Sequence, residues 1–156
     1  MDWSNSLNVS GVSGWRLPTI NAGGTEGCNW TLGGTNCGYG ANTSTSELAY
    51  MFYVELGNVG KVAGSTRTNE GPFSGIQDYY YWSSTTDPTN DGAAWIFNMR
   101  TGRQDVGTKA LFNGYAWAVH NGDVFASSVP EPSAALMGAV GCLLVGLPML
   151  SRRKAA

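Results

Sequence analysis

Asp87, Thr89, Asn90 and Asp91, followed by Gly92, place several hard oxygen donors in one short polar stretch. Calcium takes oxygen ligands of this kind, so Asp87 and Asp91 are the candidate ligands for a calcium cofactor. The competing assignment is an Asx-rich turn that holds no ion. Position twelve of a calcium loop begun at Asp87 is Asn98, where a bidentate Glu would be needed. Asp87 and Asp91 are also the acidic pair that lies close in sequence, and a glycan-cleaving enzyme would draw on such a pair. Nucleophilic chemistry finds less support. His120 is the single histidine, so a site with two histidine ligands is excluded. No Gly-x-Ser-x-Gly occurs, and no Cys–His pair has an evident orienting partner. His120 ends an expected strand and takes a surface or structural role, so the protein is expected not to be an enzyme.

Cys28 and Cys37 lie in one Gly/Asn/Thr-rich stretch, either as a disulfide or as two free thiols. In an oxidising compartment the bridge is the expected state, closing a short loop for about 2–3 kcal/mol. Their spacing does not suit a zinc knuckle. Cys142 falls in an apolar segment with no partner of its own.

The elements that must position these groups begin with the end of a helix over residues 1–10, followed by an extended Leu17 forced out of helical geometry by Pro18. Residues 21–44 read as a loop. Ser44 and Glu47 form a capping box, Leu48, Met51, Phe52 and Leu56 recur at helical spacing, and Gly57 supplies the C-terminal cap. Residues 57–76 read as loop. Strands follow at 79–84 and 94–99, with a turn over 87–92 between them and a tight turn at Thr101-Gly102. A third strand returns over 103–112, and Tyr115 to His120 form the last. A helix or two followed by a small antiparallel sheet is α+β. Alternation puts Tyr79, Tyr81 and Ser83 on one face and Tyr80, Trp82 and Ser84 on the other, leaving one aromatic set open to solvent. Exposed rings stack on the apolar faces of sugars. The expected ligand surface therefore surrounds the 85–92 loop, with Tyr80 or Tyr81 beside Asp87, Asn90 and Asp91.

Before Ser133 there are 6 Lys and Arg against 11 Asp and Glu, a net charge of −5. An acidic domain with no basic stripe argues against nucleic acid and anionic lipid as partners. High glycine and 18 aromatics, all at or before Phe125, suit an extracellular, loop-rich fold. The chain then changes character. Val129-Pro130-Glu131-Pro132 precedes an uncharged run of 17 residues, Ala134 to Leu150, and then Arg152-Arg153-Lys154. At ~1.5 Å per residue the run reaches roughly 25 Å, enough for a thin bilayer. The basic cluster belongs on the cytoplasmic side. The organisation is thus an ectodomain over 1–125, a linker over 126–133, a transmembrane helix over 134–150 and a basic tail over 151–156. Residues 1–6 carry no basic or apolar export region, so a missing upstream signal and first helix are expected.

The order of Pro130-Glu131-Pro132, short apolar helix and Arg152-Arg153 resembles the PEP-CTERM sorting signal of Gram-negative bacteria. That resemblance implies recognition by an exosortase, a single-pass membrane stage, and delivery to the cell surface or extracellular matrix, alongside exopolysaccharide. A second resemblance rests on Gly14-Trp15-Arg16-Leu17-Pro18-Thr19, the Ser-Glu-Leu helix start, Tyr81-Trp82-Ser83-Ser84, Ala94-Trp95-Ile96-Phe97 and Tyr115-Ala116-Trp117-Ala118-Val119. These occur in the same order in the DUF1566 family, the C-terminal domain of the Legionella collagen-like adhesin. The resemblance implies a C-type-lectin-like fold with Trp15, Trp82, Trp95 and Trp117 packed in its core. The Glu-Pro-Asn and Trp-Asn-Asp sugar–calcium motifs of true C-type lectins are absent. The expected function is a non-enzymatic surface or biofilm-matrix protein that binds polysaccharide or another envelope component. The alternatives are a purely structural matrix component without a glycan site and a glycan-acting enzyme using Asp87 or Asp91.

Overall fold

β4 (Asn90–Asn98) is the strand on which the rest of the molecule is assembled, because Ala93 through Phe97 are buried without a break. Such a run needs cover on both faces. Trp95 and Phe97 face a core shared with Ile20, Leu48, Phe52, Tyr81 and Met99. Ala94 and Ile96 face the other way, against Trp82 with Tyr80 and Phe112 packed around it. The computed structural model describes residues 3–21, 35–60 and 67–122 in full, and the backbone of Cys28 and Asn29.

β4 pairs antiparallel with β3 (Tyr80–Asp87) on one side and β5 (Arg103–Thr108) on the other. β5 pairs antiparallel with β2 (Cys37–Tyr39), and β1 (Cys28–Asn29) joins β2 in parallel, giving the order β1-β2-β5-β4-β3. With one short helix between β2 and β3, the α+β class is observed. Cys37 is disulfide-bonded, and its register partner across the β1–β2 pair is Cys28. The side chain of Cys28 lies outside the described residues.

The helix forms where its apolar spacing puts it, but its start differs from expectation. α1 (Glu47–Tyr50) is capped by Ser46, whose hydroxyl accepts from Ala49 N, and not by Ser44. Ser44 instead donates its hydroxyl to Asn42 Oδ1 at 2.7 Å. Glu47 is therefore the first helical residue, too early to close a capping box, and its carboxylate turns outward to Arg16 and Thr19. After one turn the helix widens into a π-turn, Met51–Glu55. Leu48, Phe52 and Leu56 are buried along one stripe. Gly57 ends it at φ +61°, and Asn58 N donates to Phe52 O at 3.0 Å, one residue further back than in a Schellman cap because the last turn is a π-turn.

Other boundaries shift for identifiable reasons. The expected helix end at residues 1–10 is a single 3-10 turn, Ser4–Ser6. The loop over 21–44 contains β1 and β2. The 87–92 turn shortens to Pro88-Thr89, since Asp91 and Gly92 already belong to β4, and β5 stops at Thr108 rather than 112. The strand expected over 115–120 is replaced by two isolated bridges, Tyr115 with Tyr81 and Val119 with Arg16. The segment crosses from the edge of β3 to the Arg16 strand-like stretch, so no single partner strand runs beside it. Among the described residues no helix is long and apolar enough to cross a membrane. The apolar run at 134–150, Cys142, the Val129-Pro130-Glu131-Pro132 motif and Arg152-Arg153 lie outside the described residues.

Candidate functional site

The 87–92 loop is built from side-chain-to-backbone turns. Asp87 Oδ1 accepts from Thr89 N at 3.0 Å and Thr89 Oγ1 at 2.9 Å, and Asn90 Oδ1 accepts from Gly92 N at 3.0 Å. These are Asx turns, with the side-chain oxygens already used by the backbone that follows. The Lys109 ammonium donates to Asp91 O and to Thr86 Oγ1, both at 2.9 Å. A divalent cation at this loop would meet that positive charge. Among the described residues no three His, Cys, Asp or Glu side chains converge on one point.

The loop also lacks its expected aromatic neighbours. Tyr80 and Asp87 open and close β3. At ~3.3 Å per residue, seven residues separate them by roughly 23 Å. Tyr81 is 6 % exposed, its hydroxyl accepts from Gln77 N at 2.8 Å, and burial pushes that hydroxyl's pKa up. Tyr80 is half-buried, its ring edge-on to Phe112 at 5.3 Å. Both faces of β3 are covered, one by the Phe97 core and the other by Phe112, so of the two aromatic sets only Tyr79, outside the strand, is left open. Trp82 and Trp95 are core residues as expected, while Trp15 and Trp117 are only half-buried.

The open rings stand at the other end of β3. Tyr79, one residue before the strand, is 44 % exposed and Tyr115 is 45 % exposed. Their ring centroids are 6.4 Å apart at 85°, and Tyr79 stacks on Phe112 at 7° and 5.9 Å. Both backbones are pinned: Met99 N donates to Tyr79 O, and Tyr115 N to Tyr80 O, each at 2.9 Å. Together with Asn113 and Gly114 they line a depression of about 500 Å³. Sequence reasoning missed this pair because the cover that hides Tyr80 and Tyr81 comes from residues 97 and 112, far along the chain. A signal existed in Tyr79-Tyr80-Tyr81, since the ring outside the strand is the one the sheet cannot cover.

A deeper groove of about 530 Å³ lies beside α1, lined among others by Thr19, Glu47, Tyr50, Glu55, Phe73 and His120. Its wall is fixed by Arg16, which donates Nη1 and Nη2 to the two Glu47 oxygens, each at 2.7 Å. Thr19 adds its backbone N at 2.6 Å and its hydroxyl at 3.0 Å. The Arg16 hydrogen bonds hold the Glu47 carboxyl at a pKa of about 2. The Glu55 carboxylate beside Tyr50 raises the phenol's pKa. His120 packs its ring on Trp15 at 5.5 Å, and its Nδ1 is shielded from solvent with no hydrogen-bond partner among the described residues. Apolar rings beside hydroxyl, amide and carboxylate groups are equipped to bind a polyhydroxylated ligand.

No protein-family model, curated protein or solved structure matches the chain.

Proposed function

We propose that the protein is an exported, non-enzymatic component of the cell surface or extracellular matrix, with a C-type-lectin-like domain that binds polysaccharide. The observation that carries this reading is the pair of open, rigidly mounted rings of Tyr79 and Tyr115 beside Asn113. Aromatic faces bind the C–H faces of sugars, and a side-chain amide can pair with hydroxyls on the ring edge. The acidic balance of the domain disfavours nucleic acid and anionic membrane. The tail supports export: an exosortase would read Val129-Pro130-Glu131-Pro132, the apolar run would hold the chain in the membrane, and Arg152 and Arg153 would stay on the cytoplasmic side.

The full chain, solubilised in detergent, tests the reading by its binding to exopolysaccharide from the producing cell. Saturable binding weakened by Tyr115→Ala supports it. A folded chain that binds no glycan, yet self-associates, favours a purely structural matrix component instead.

A further inference from the structure

We propose that the site is an open track for a linear, uncharged polysaccharide, holding several consecutive sugar units in mid-chain rather than capturing a chain end. The proposal rests on the polysaccharide reading above and names the form of its ligand. Its basis is a succession of rings linked through the buried ring of Tyr81. Phe73 meets Trp117 edge-on at 5.0 Å. Trp117 and Tyr115 both rest on the buried Tyr81, at 5.8 and 5.6 Å, and Tyr115 then meets Tyr79 at 6.4 Å. Tyr81 is thus a common floor that fixes the spacing of the rings above it.

The ring order follows from the backbone. Residues two apart in an extended segment share a face, at roughly 7 Å between Cα atoms. Trp117 and Tyr115 are such a pair. The segment between them is not zipped into the sheet, because its bridges fall at Tyr115 and Val119. A shallow depression of about 240 Å³ lies between Phe73 and Trp117, with Tyr81 in its lining, and a second of about 500 Å³ lies at Tyr79 and Tyr115. Phe73 also lines the larger groove beside α1, where Tyr50 and Glu55 offer polar edges. A ligand that stops at one ring leaves the others uncovered, whereas a linear chain covers them in turn.

Charge selects among polymers. Glu70 and Asp78 flank this surface and share the single guanidinium of Arg67, which leaves one negative charge in excess. Glu55 adds another at the far end. A polyuronate would meet like charge at these carboxylates.

The test is a ladder of size-fractionated neutral oligosaccharides from the producing cell's exopolysaccharide, disaccharide upward, titrated against the full chain in detergent. A polyuronate of matched length runs beside it. Affinity is expected to climb with length over several units, and the polyuronate is expected to bind at least roughly tenfold more weakly. Phe73→Ala should flatten the ladder at its long end, while Tyr79→Ala lowers every rung. Tyr115→Phe keeps the ring and should keep the full ladder, which separates ring loss from misfolding. A disaccharide that binds as tightly as the longest chain overturns the track and leaves polysaccharide binding standing. Equal or tighter binding of the polyuronate overturns the uncharged ligand. Absence of binding by every neutral rung overturns both the track and the reading beneath it.

Discussion

Ser46 Oγ donates to Gln104 Oε1 at 2.6 Å while accepting from Ala49 N at 3.1 Å, so one hydroxyl both caps α1 and ties it to β5. Gln104 is 1 % exposed, and its amide reaches on to Asn36 O in the stretch leading into β2. The helix that walls the groove is thereby fastened to the sheet that carries the rings.

Ser46→Ala removes the cap and leaves Gln104 Oε1 buried without its donor. A lost N-cap costs about 1 kcal/mol, and an orphaned buried acceptor roughly another 1–2 kcal/mol. Denaturant unfolding should show the sum of these as a lower midpoint. Loss of only a few tenths of a kcal/mol would mean that Gln104 finds another donor by a rotamer change.

The Arg16–Glu47 pair sets an acid limit on stability. Arg16 holds the Glu47 pKa at about 2, below its ordinary 4.5, so the folded state binds that proton less readily than the unfolded chain. The stabilisation is full above pH 4.5 and is lost as pH falls from 4.5 towards 2. The Glu47 side chain is 40 % exposed, so solvent screening reduces the contribution to about 1–2 kcal/mol. Glu47→Gln should lower stability at neutral pH and flatten the pH profile across that window. A profile identical to that of the unsubstituted protein would remove Glu47 as the source.

Local pattern made part of this fold legible. The helix stripe of Leu48, Phe52 and Leu56, the Gly57 cap and the strands around Trp82 and Trp95 all follow from spacing and turn residues within a short window. What was not legible depended on distant partners. Ser46 outcompetes Ser44 as the cap because Gln104, 58 residues away, holds its hydroxyl in place. Glu47 reads as a capping-box acid until Arg16 claims it. Residues 115–120 have strand composition, yet a strand needs a neighbour along its length, and only their two ends meet one. Which rings are open was not legible for the same reason: alternation says which rings share a face, not which face another segment covers.

Two glycines separate strain from crowding. Gly57 and Gly102 both have positive φ, at +61° and +74°, but a Cβ on Gly57 meets open space. On Gly102 it would lie 2.6 Å from Tyr53 Oη and 2.7 Å from Phe52 Cε1. That hydroxyl is itself committed, donating to Gly102 O at 2.6 Å and accepting from Gly40 N at 2.7 Å. Gly57→Ala should cost about 1 kcal/mol from backbone strain alone. Gly102→Ala should cost roughly 2–4 kcal/mol, because overpacking adds to the strain. Equal losses in thermal or denaturant unfolding would mean that the Tyr53 ring yields without cost.

Binding should depend on the Tyr79 end of β3 and not on the Asp87 end. Lys109 already places an ammonium against Asp91 O, and Asp87 Oδ1 is used by Thr89. A chelator should therefore change neither the unfolding midpoint nor the affinity for polysaccharide. Asp91→Asn should also leave affinity within about twofold, since an exposed side chain far from the ligand contributes little to binding. Tyr115→Ala removes a ring that is held in place before the ligand arrives. An aromatic contact of about 0.5–1.5 kcal/mol, with the apolar area lost beside it, corresponds to roughly tenfold weaker binding. Affinity measured on the three samples decides between the two ends of the strand. Chelator-sensitive binding that survives Tyr115→Ala would return the site to the 87–92 loop, with Lys109 displaced by the ion.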